Sequence, residues 1–198
     1  DKKRVMIVGG GKTSFYLCRL LGEMGIRLHH IAIARSPFLF QENQKALRQI
    51  CAIIRKYAIQ VVHCHTPVGG VLGRLAGHLV KGPKPLVIYT AHGFHFYKGA
   101  PLFNWLTYFE VEKALARYTD ILIVINEEDY RNAKEFRLRK KGAVYKIPGV
   151  GLDTGVFHPL PEEARRAGRE RLGIREDEFF LVSVGELNAN KNHKAVLE

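Results

Sequence analysis

Two kinds of segment alternate along this chain. Short apolar runs end at glycine, proline or histidine, and longer segments with apolar residues three and four apart follow them. The first run, Val5–Val8, leads into Gly9-Gly10-Gly11-Lys12-Thr13-Ser14 and a helical segment at 15–24. A second run at 28–34 stops at Arg35-Ser36-Pro37-Phe38. The helix predicted at 43–57 has the clearest stripe: Ala46, Leu47, Ile50, Cys51, Ile54 and Tyr57 share a face, with Arg48, Arg55 and Lys56 off it. Val61-Val62-His63-Cys64-His65-Thr66-Pro67 reads as strand then turn, and 68–80 as a glycine-rich helix that Gly82-Pro83-Lys84-Pro85 ends. Leu86-Val87-Ile88 is a buried strand, 102–118 a helix, 120–125 a strand, and 144–147 a last short strand. Strand, helix, strand in this rhythm predicts an α/β fold, a doubly wound and mostly parallel Rossmann-like sheet of about six strands.

The rhythm breaks at Pro148-Gly149-Val150-Gly151. We expect a first domain at 1–147, a linker at 148–160 and the start of a second domain at 161–198. The second begins with a polar helix at 162–172, then an apolar run at 179–184 that reads as a buried strand. The sequence stops soon after, so this domain is expected to be truncated. Asp1, where an initiator methionine would stand, fits the trimmed start of a longer chain.

Composition narrows the classes. The chain has 198 residues, 46% of them hydrophobic and 25% charged, as soluble globular proteins do. No apolar run reaches the roughly 18 residues of a membrane span. Asp1-Lys2-Lys3-Arg4 and the short apolar run after it do not make a signal peptide. Cys18, Cys51 and Cys64 have no metal-ligand spacing and fit free thiols in a reducing cytoplasm. Net charge is +12, which favours anionic partners. Seven Lys or Arg and one acid, Glu135, lie between Arg131 and Lys146, a run that most simply forms a solvated face. Basic residues interleaved with aromatics are absent, so nucleic acid is not expected as a partner.

The candidate chemistry gathers where strands end. Tyr89-Thr90-Ala91-His92-Gly93-Phe94-His95-Phe96 places a histidine and a glycine where the central strand turns. Open parallel sheets bind ligands at that end, and Gly93 permits φ > 0. A turn histidine satisfied by backbone groups fits the same residues. Gly9–Ser14 is either a tight turn or a loop lining a substrate site; its glycines fit neither the phosphate-loop spacing nor the dinucleotide fingerprint. His63 and His65 would share a strand face, but with no third ligand nearby no metal site is expected. Glu112 falls on the apolar stripe of the 102–118 helix, so it must be paired or hydrogen-bonded, and a structural carboxylate holding a loop is expected. Asn126 is a structural N-cap, Asp129 stands three residues on, and Glu127 and Glu128 suit the helix dipole.

Six stretches together resemble glycosyltransferase family 4, whose GT-B fold has two facing Rossmann-like domains, and within it the bacterial enzymes of capsule and exopolysaccharide assembly. They are Arg35-Ser36-Pro37, Val62-His63-Cys64-His65-Thr66-Pro67, Tyr89 through Gly99, Asn126-Glu127-Glu128-Asp129-Tyr130, Ile147-Pro148-Gly149-Val150-Gly151 and Gly185-Glu186-Leu187-Asn188. The resemblance implies a retaining hexosyltransferase that moves a sugar from a nucleotide-diphosphate sugar to a lipid-linked saccharide acceptor, without metal or other cofactor. His92 would match the family histidine that contacts the donor sugar near the reacting carbon. Lys191 would match the lysine that stabilises the donor diphosphate, although many relatives carry arginine where Glu186 stands. Gly10, Gly11, Lys12, Arg35, His65, Gly93 and His95 would line the acceptor side of the cleft. The resemblance also implies that the 198-residue chain is inactive alone and that the enzyme works in the cytoplasm, peripherally on an anionic inner membrane face, with the Arg131–Lys146 run as one candidate docking surface. The alternatives are a non-catalytic GT-B binding or assembly module, and a nucleotide-sugar 2-epimerase-like enzyme. The oligomeric state is left open.

Overall fold

Side chains on a strand point alternately to its two faces, so a strand packed on one face buries every second residue. The computed structural model, which describes residues 5–9, 23, 31, 33–34, 36–149, 151–187 and 192–197, shows this alternation along Val61–His65 and Ile121–Val124. Five strands form one parallel sheet: β1 (Val5–Val8), β2 (Val61–His65), β3 (Leu86–Ala91), β4 (Ile121–Val124) and β5 (Ala143–Lys146). They lie side by side in chain order, with His65 opposite Thr90 and Ala91 opposite Val124. The run at 28–34 and the helix at 15–24 fall largely outside the described residues. Right-handed crossovers that always step the same way put their helices on one face of the sheet. Among the described residues the winding runs in that single direction.

Helix α1 (Phe40–Lys56) buries Ala46, Ile50 and Ile54 and packs on α2 (Pro67–Leu79), which itself lies on β1, β2 and β3. The glycines of α2 are what let it lie so close. A Cβ on Gly70 would stand 2.5 Å from the Tyr89 ring, on Gly73 2.3 Å from Cys64 Sγ, and on Gly77 2.6 Å from Val87. Val62, Cys64, Val87, Tyr89, Leu122 and Val124 form the centre of the core on this face. Ile7, His63, His65, Ile88, Ile121 and Ile123, on the other face, are half-buried.

The segment predicted as one helix at 102–118 is more irregular. Helix α3 starts as Leu102–Asn104, widens into a π-helical turn at Trp105–Phe109 and ends as Glu110–Ala116. The wider turn lets three aromatics reach inward together: Trp105 and Phe109 onto Phe96, and Tyr108 onto His95. Helix α4 (Glu127–Lys134) packs on β4 and β5.

The chain divides into two compact units, 1–151 and 152–198. The second contains helix α5 (Glu162–Arg171), held by surface pairs such as Arg165–Glu162, and a single turn at His193–Val196. The strand predicted at 179–184 is not formed. Phe179 and Val184 are 89% and 90% exposed and the segment has no regular structure. A strand needs a neighbour for its N–H and C=O groups and a layer over its apolar side. Among the described residues of this unit there is neither.

Candidate functional site

Residues two apart on a strand share a face, and parallel register then decides what they meet across the sheet. His63 and His65 share a face of β2, and β3 brings Thr90 beside them and His92 just beyond its end. The rings form a row. His63 and His65 lie 4.2 Å apart between centroids, and His65 and His92 5.4 Å. His63 Nε2 is 2.8 Å from Thr90 Oγ1, and His65 Nδ1 is 3.1 Å from His92 Nε2. Burial, then the neighbouring rings of His63 and His92, pushes the His65 imidazole down to about 4. Burial and His92 lower His63 as well. The inner part of the row is therefore neutral at pH 7 and offers hydrogen bonds rather than charge.

Two backbone features fix the end of β2. A Cβ on Gly9 would meet the His65 carbonyl oxygen at 2.7 Å, so only glycine allows β1 to end so close to it. Thr66 has φ +65°, which costs a β-branched residue about 1–3 kcal/mol. It stands between His65 and the first turn of α2.

The loop after β3 is held from beneath. Along His92-Gly93-Phe94-His95-Phe96 the exposed residues are His92, Gly93 and His95, and the buried ones Phe94 and Phe96. Phe94 and Phe96 stack at 4.6 Å, and Phe109 and Phe136 complete the aromatic cluster. Gly93 has φ +133°, a conformation that L side chains rarely adopt. The Phe94 N–H donates to Asp129 Oδ2 at 3.1 Å, and Asn126 Nδ2 donates to the same oxygen at 2.7 Å. Asn126 Oδ1 in turn accepts from the Asp129 N–H at 2.8 Å, which caps α4 and is worth about 1 kcal/mol. Burial raises the Asp129 carboxyl even though these donors act against it. Asn126 and Asp129 thus tie the start of α4 to the loop that carries His92.

Glu112 belongs to a different centre. It accepts from Arg74 Nη1 at 2.7 Å and from the Tyr89 hydroxyl at 3.2 Å. Arg74 is 1% exposed, donates from Nε to the Gly70 carbonyl and stacks its guanidinium 4.1 Å from the Tyr89 ring centre. Sequence reasoning passed over Arg74. The available signal was a lone arginine in an apolar, glycine-rich helix, which needs an acid as much as Glu112 needs a base. Beside this pair is a cavity of about 640 Å³, lined by Phe40, Val68, Leu72, Tyr108, His95 and Glu112 among others. His95 stacks on Tyr108 in its wall.

Of the expected site residues, His65 and His92 meet at the ends of β2 and β3, Gly93 follows His92 in the loop, and His95 lies instead on Tyr108 in the cavity wall. Gly10, Gly11, Lys12, Arg35 and Lys191 lie outside the described residues. The basic run at 131–146 is divided in use. Arg131 and Lys146 pair with Glu127, while Arg139 holds Asp120 at 2.9 Å and the Pro85 carbonyl at 3.3 Å. The burial of Cys64 pushes its thiol up to about 12, which fits an inert core residue. Among the described residues no group of three His, Cys, Asp or Glu is placed to hold a metal ion, and no helix is long and apolar enough to cross a membrane.

Known proteins give this geometry a context. The family described as glycosyl transferase 4-like matches residues 18–126. EpsD of Bacillus subtilis (strain 168), provisionally named a glycosyltransferase, is 51% identical over 168 residues, 85% of this chain and 44% of its own length. The UDP-Gal:alpha-D-GlcNAc-diphosphoundecaprenol alpha-1,3-galactosyltransferase of Escherichia coli is 28% identical over 76% of this chain and 38% of its own. The chain therefore spans about two-fifths of the length of these relatives. Among solved structures, sucrose-phosphate synthase from Thermosynechococcus elongatus superposes with a TM-score of 0.58 at 16% identity, over 89% of this chain and 54% of that one. A glycosyltransferase from Rickettsia africae ESF-5 gives 0.51 at 18% identity, over 88% and 42%. At such identities the likeness is one of fold.

Proposed function

Because this chain belongs to the glycosyl transferase 4-like family, we propose that it is the acceptor-side half, with the beginning of the donor-side domain, of a retaining glycosyltransferase. The reaction moves a sugar from a nucleotide-diphosphate sugar to a lipid-linked saccharide during bacterial surface polysaccharide synthesis. The observation that supports it is His92. An exposed imidazole stands on the loop closing β3, bonded through Nε2 to His65, at the carboxyl end of parallel strands where open α/β sheets bind ligands. The E. coli relative, whose name specifies a UDP-sugar donor and a diphosphoundecaprenol-linked acceptor, supports the substrate classes.

In this reading residues 1–147 hold the acceptor, 148–160 link, and the domain from 161 onward binds the nucleotide sugar. His92 contacts the donor sugar near the reacting carbon. His65, Gly93 and His95, with Gly10, Gly11, Lys12 and Arg35, line the acceptor side. The departing diphosphate takes the acceptor proton, and Lys191 stabilises its charge. Catalysis comes from positioning and electrostatics, not from a side-chain base. The test is transfer by the full-length protein from a panel of nucleotide sugars to membrane lipid extract, wild type beside His92→Ala. We expect a loss of about 100-fold or more with folding intact, and no turnover from the 198-residue chain alone. Unchanged transfer in His92→Ala would reduce His92 to a turn residue.

The enzyme works in the cytoplasm, peripherally on an anionic membrane. Leu102, Phe103 and Leu106 at the start of α3 are 72%, 65% and 66% exposed, and Lys98 stands just before them. Such a patch with a basic neighbour suits a membrane surface. Full-length protein should sediment with vesicles containing anionic lipid and less with neutral ones at low salt. Equal sedimentation would remove this part of the reading.

A further inference from the structure

The histidine row contains more than His92. A neutral imidazole carries one N–H and one lone pair, so a hydrogen bond at one ring nitrogen determines what the other can do. His65 Nδ1 engages His92 Nε2 at 3.1 Å. That bond occupies Nε2 and leaves Nδ1 as the nitrogen of His92 free to meet a ligand. It also stops the ring from turning about its Cβ–Cγ bond, which an exposed side chain otherwise does freely.

His65 is well placed to hold another group still. Its backbone is gripped on one side by Gly9, whose Cα sits where no side chain fits, and continues on the other into the strained Thr66. Its ring rests against His63, which is bonded to Thr90 Oγ1 at 2.8 Å on the neighbouring strand. Support therefore runs from rigid strand, through His63 and His65, to the exposed residue at the loop. The half-buried location of His65 keeps its own ring uncharged, so Nδ1 meets His92 Nε2 as donor or acceptor and the tautomers of the two rings are coupled.

We propose that His65 is a positioning residue for glycosyl transfer: by holding His92 Nε2 with its own Nδ1, it sets the ring orientation of His92 and couples its tautomer to its own, and so governs how His92 presents Nδ1 to the donor sugar. This rests on the reading of His92 given above. It gives His65 a task in addition to lining the acceptor side, exerted through its bond to His92.

The experiment uses full-length protein carrying 15N-labelled histidine, as wild type, His65→Phe and His65→Asn. Phenylalanine keeps the ring volume and removes the bond; asparagine restores a polar group close to the place of Nδ1. Long-range imidazole spectra report the tautomer of His92, and steady-state kinetics separate kcat from KM. In His65→Phe the His92 nitrogens should move to the averaged shifts of a freely exchanging ring. In the same variant kcat should fall roughly 10- to 100-fold with KM for the nucleotide sugar little changed. In His65→Asn both effects should be smaller. His92 signals in His65→Phe that coincide with those of wild type would overturn the proposal, as would a kcat that does not change while the tautomer does. If His65→Phe does not fold, His65→Leu, which also removes the bond, is read by the same two criteria: displaced His92 signals with a reduced kcat support positioning, and wild-type signals or an unchanged kcat refute it. Failure of the underlying reading looks different, because His92→Ala would then transfer sugar normally.

Discussion

The two faces of β2 and β3 carry polar clusters of opposite character. On one face Arg74, Glu112 and Tyr89 are sealed in, charged and bonded to one another. On the other, His63, His65 and His92 form a row that opens to the surface, and its inner rings are neutral. Cys64 separates the two histidines in sequence yet points to the sealed side. The difference lies in where the unused atoms are. The buried cluster spends both Glu112 oxygens on Arg74 and Tyr89, leaves Arg74 Nη2 buried without a partner, and fixes α2 and α3 to the sheet. The open one has a ring nitrogen remaining at the surface. Polar groups on the two faces of one sheet thus differ in exposure: one cluster is buried, the other reaches the surface at His92.

Breaking the sealed cluster should have the largest effect. Arg74→Met leaves the Glu112 carboxylate buried beside Tyr89 with no cation, which should cost about 3–5 kcal/mol in a urea melt. The double variant Arg74→Met, Glu112→Leu should recover most of that loss. If the single and double variants are equally unstable, the pair is not what stabilises this face. Next in size is packing: Gly73→Ala places a methyl against Cys64 Sγ and should cost about 1–3 kcal/mol. A neutral outcome would show that α2 can lift from the sheet without penalty.

The effect on the open face depends on pH and has a definite sign. The folded-state pKa of His65 is lowered to about 4 from an ordinary value of 6.5. Between those values the unfolded chain binds the proton and the folded chain does not. Stability contributed by this site is therefore complete above pH 6.5 and lost as the pH falls towards 4. His65→Asn should flatten the denaturation midpoint against pH over that window. An unchanged slope would mean that His65 titrates normally and that the row is more open than described.

The sequence carried much of this, but unevenly. Local pattern sufficed for the stripe of α1, for the Asn126 cap and for the turn at Gly93, since each depends on residues close together in the chain. It also marked Glu112 as a carboxylate in need of a partner. It could not supply that partner, because Arg74 lies thirty-eight residues away on another helix. The pairing of His65 with His92 likewise needs the register of β2 on β3, which no periodicity within a single strand contains. The apolar run at 179–184 shows the converse: a strand-like pattern is insufficient where, among the described residues, no neighbouring strand completes the hydrogen bonds.

The order of the strands has a consequence for how the molecule is made. Each described strand pairs with the next one along the chain, so every addition after β2 closes only a short loop, at modest entropic cost. During synthesis from the amino end, β3 can dock on β2 before β4 and β5 have left the ribosome. At that stage His63, His65, Thr90 and His92 are already adjacent. Asp129 arrives later and locks the loop, so the histidine row is assembled first and stiffened afterwards.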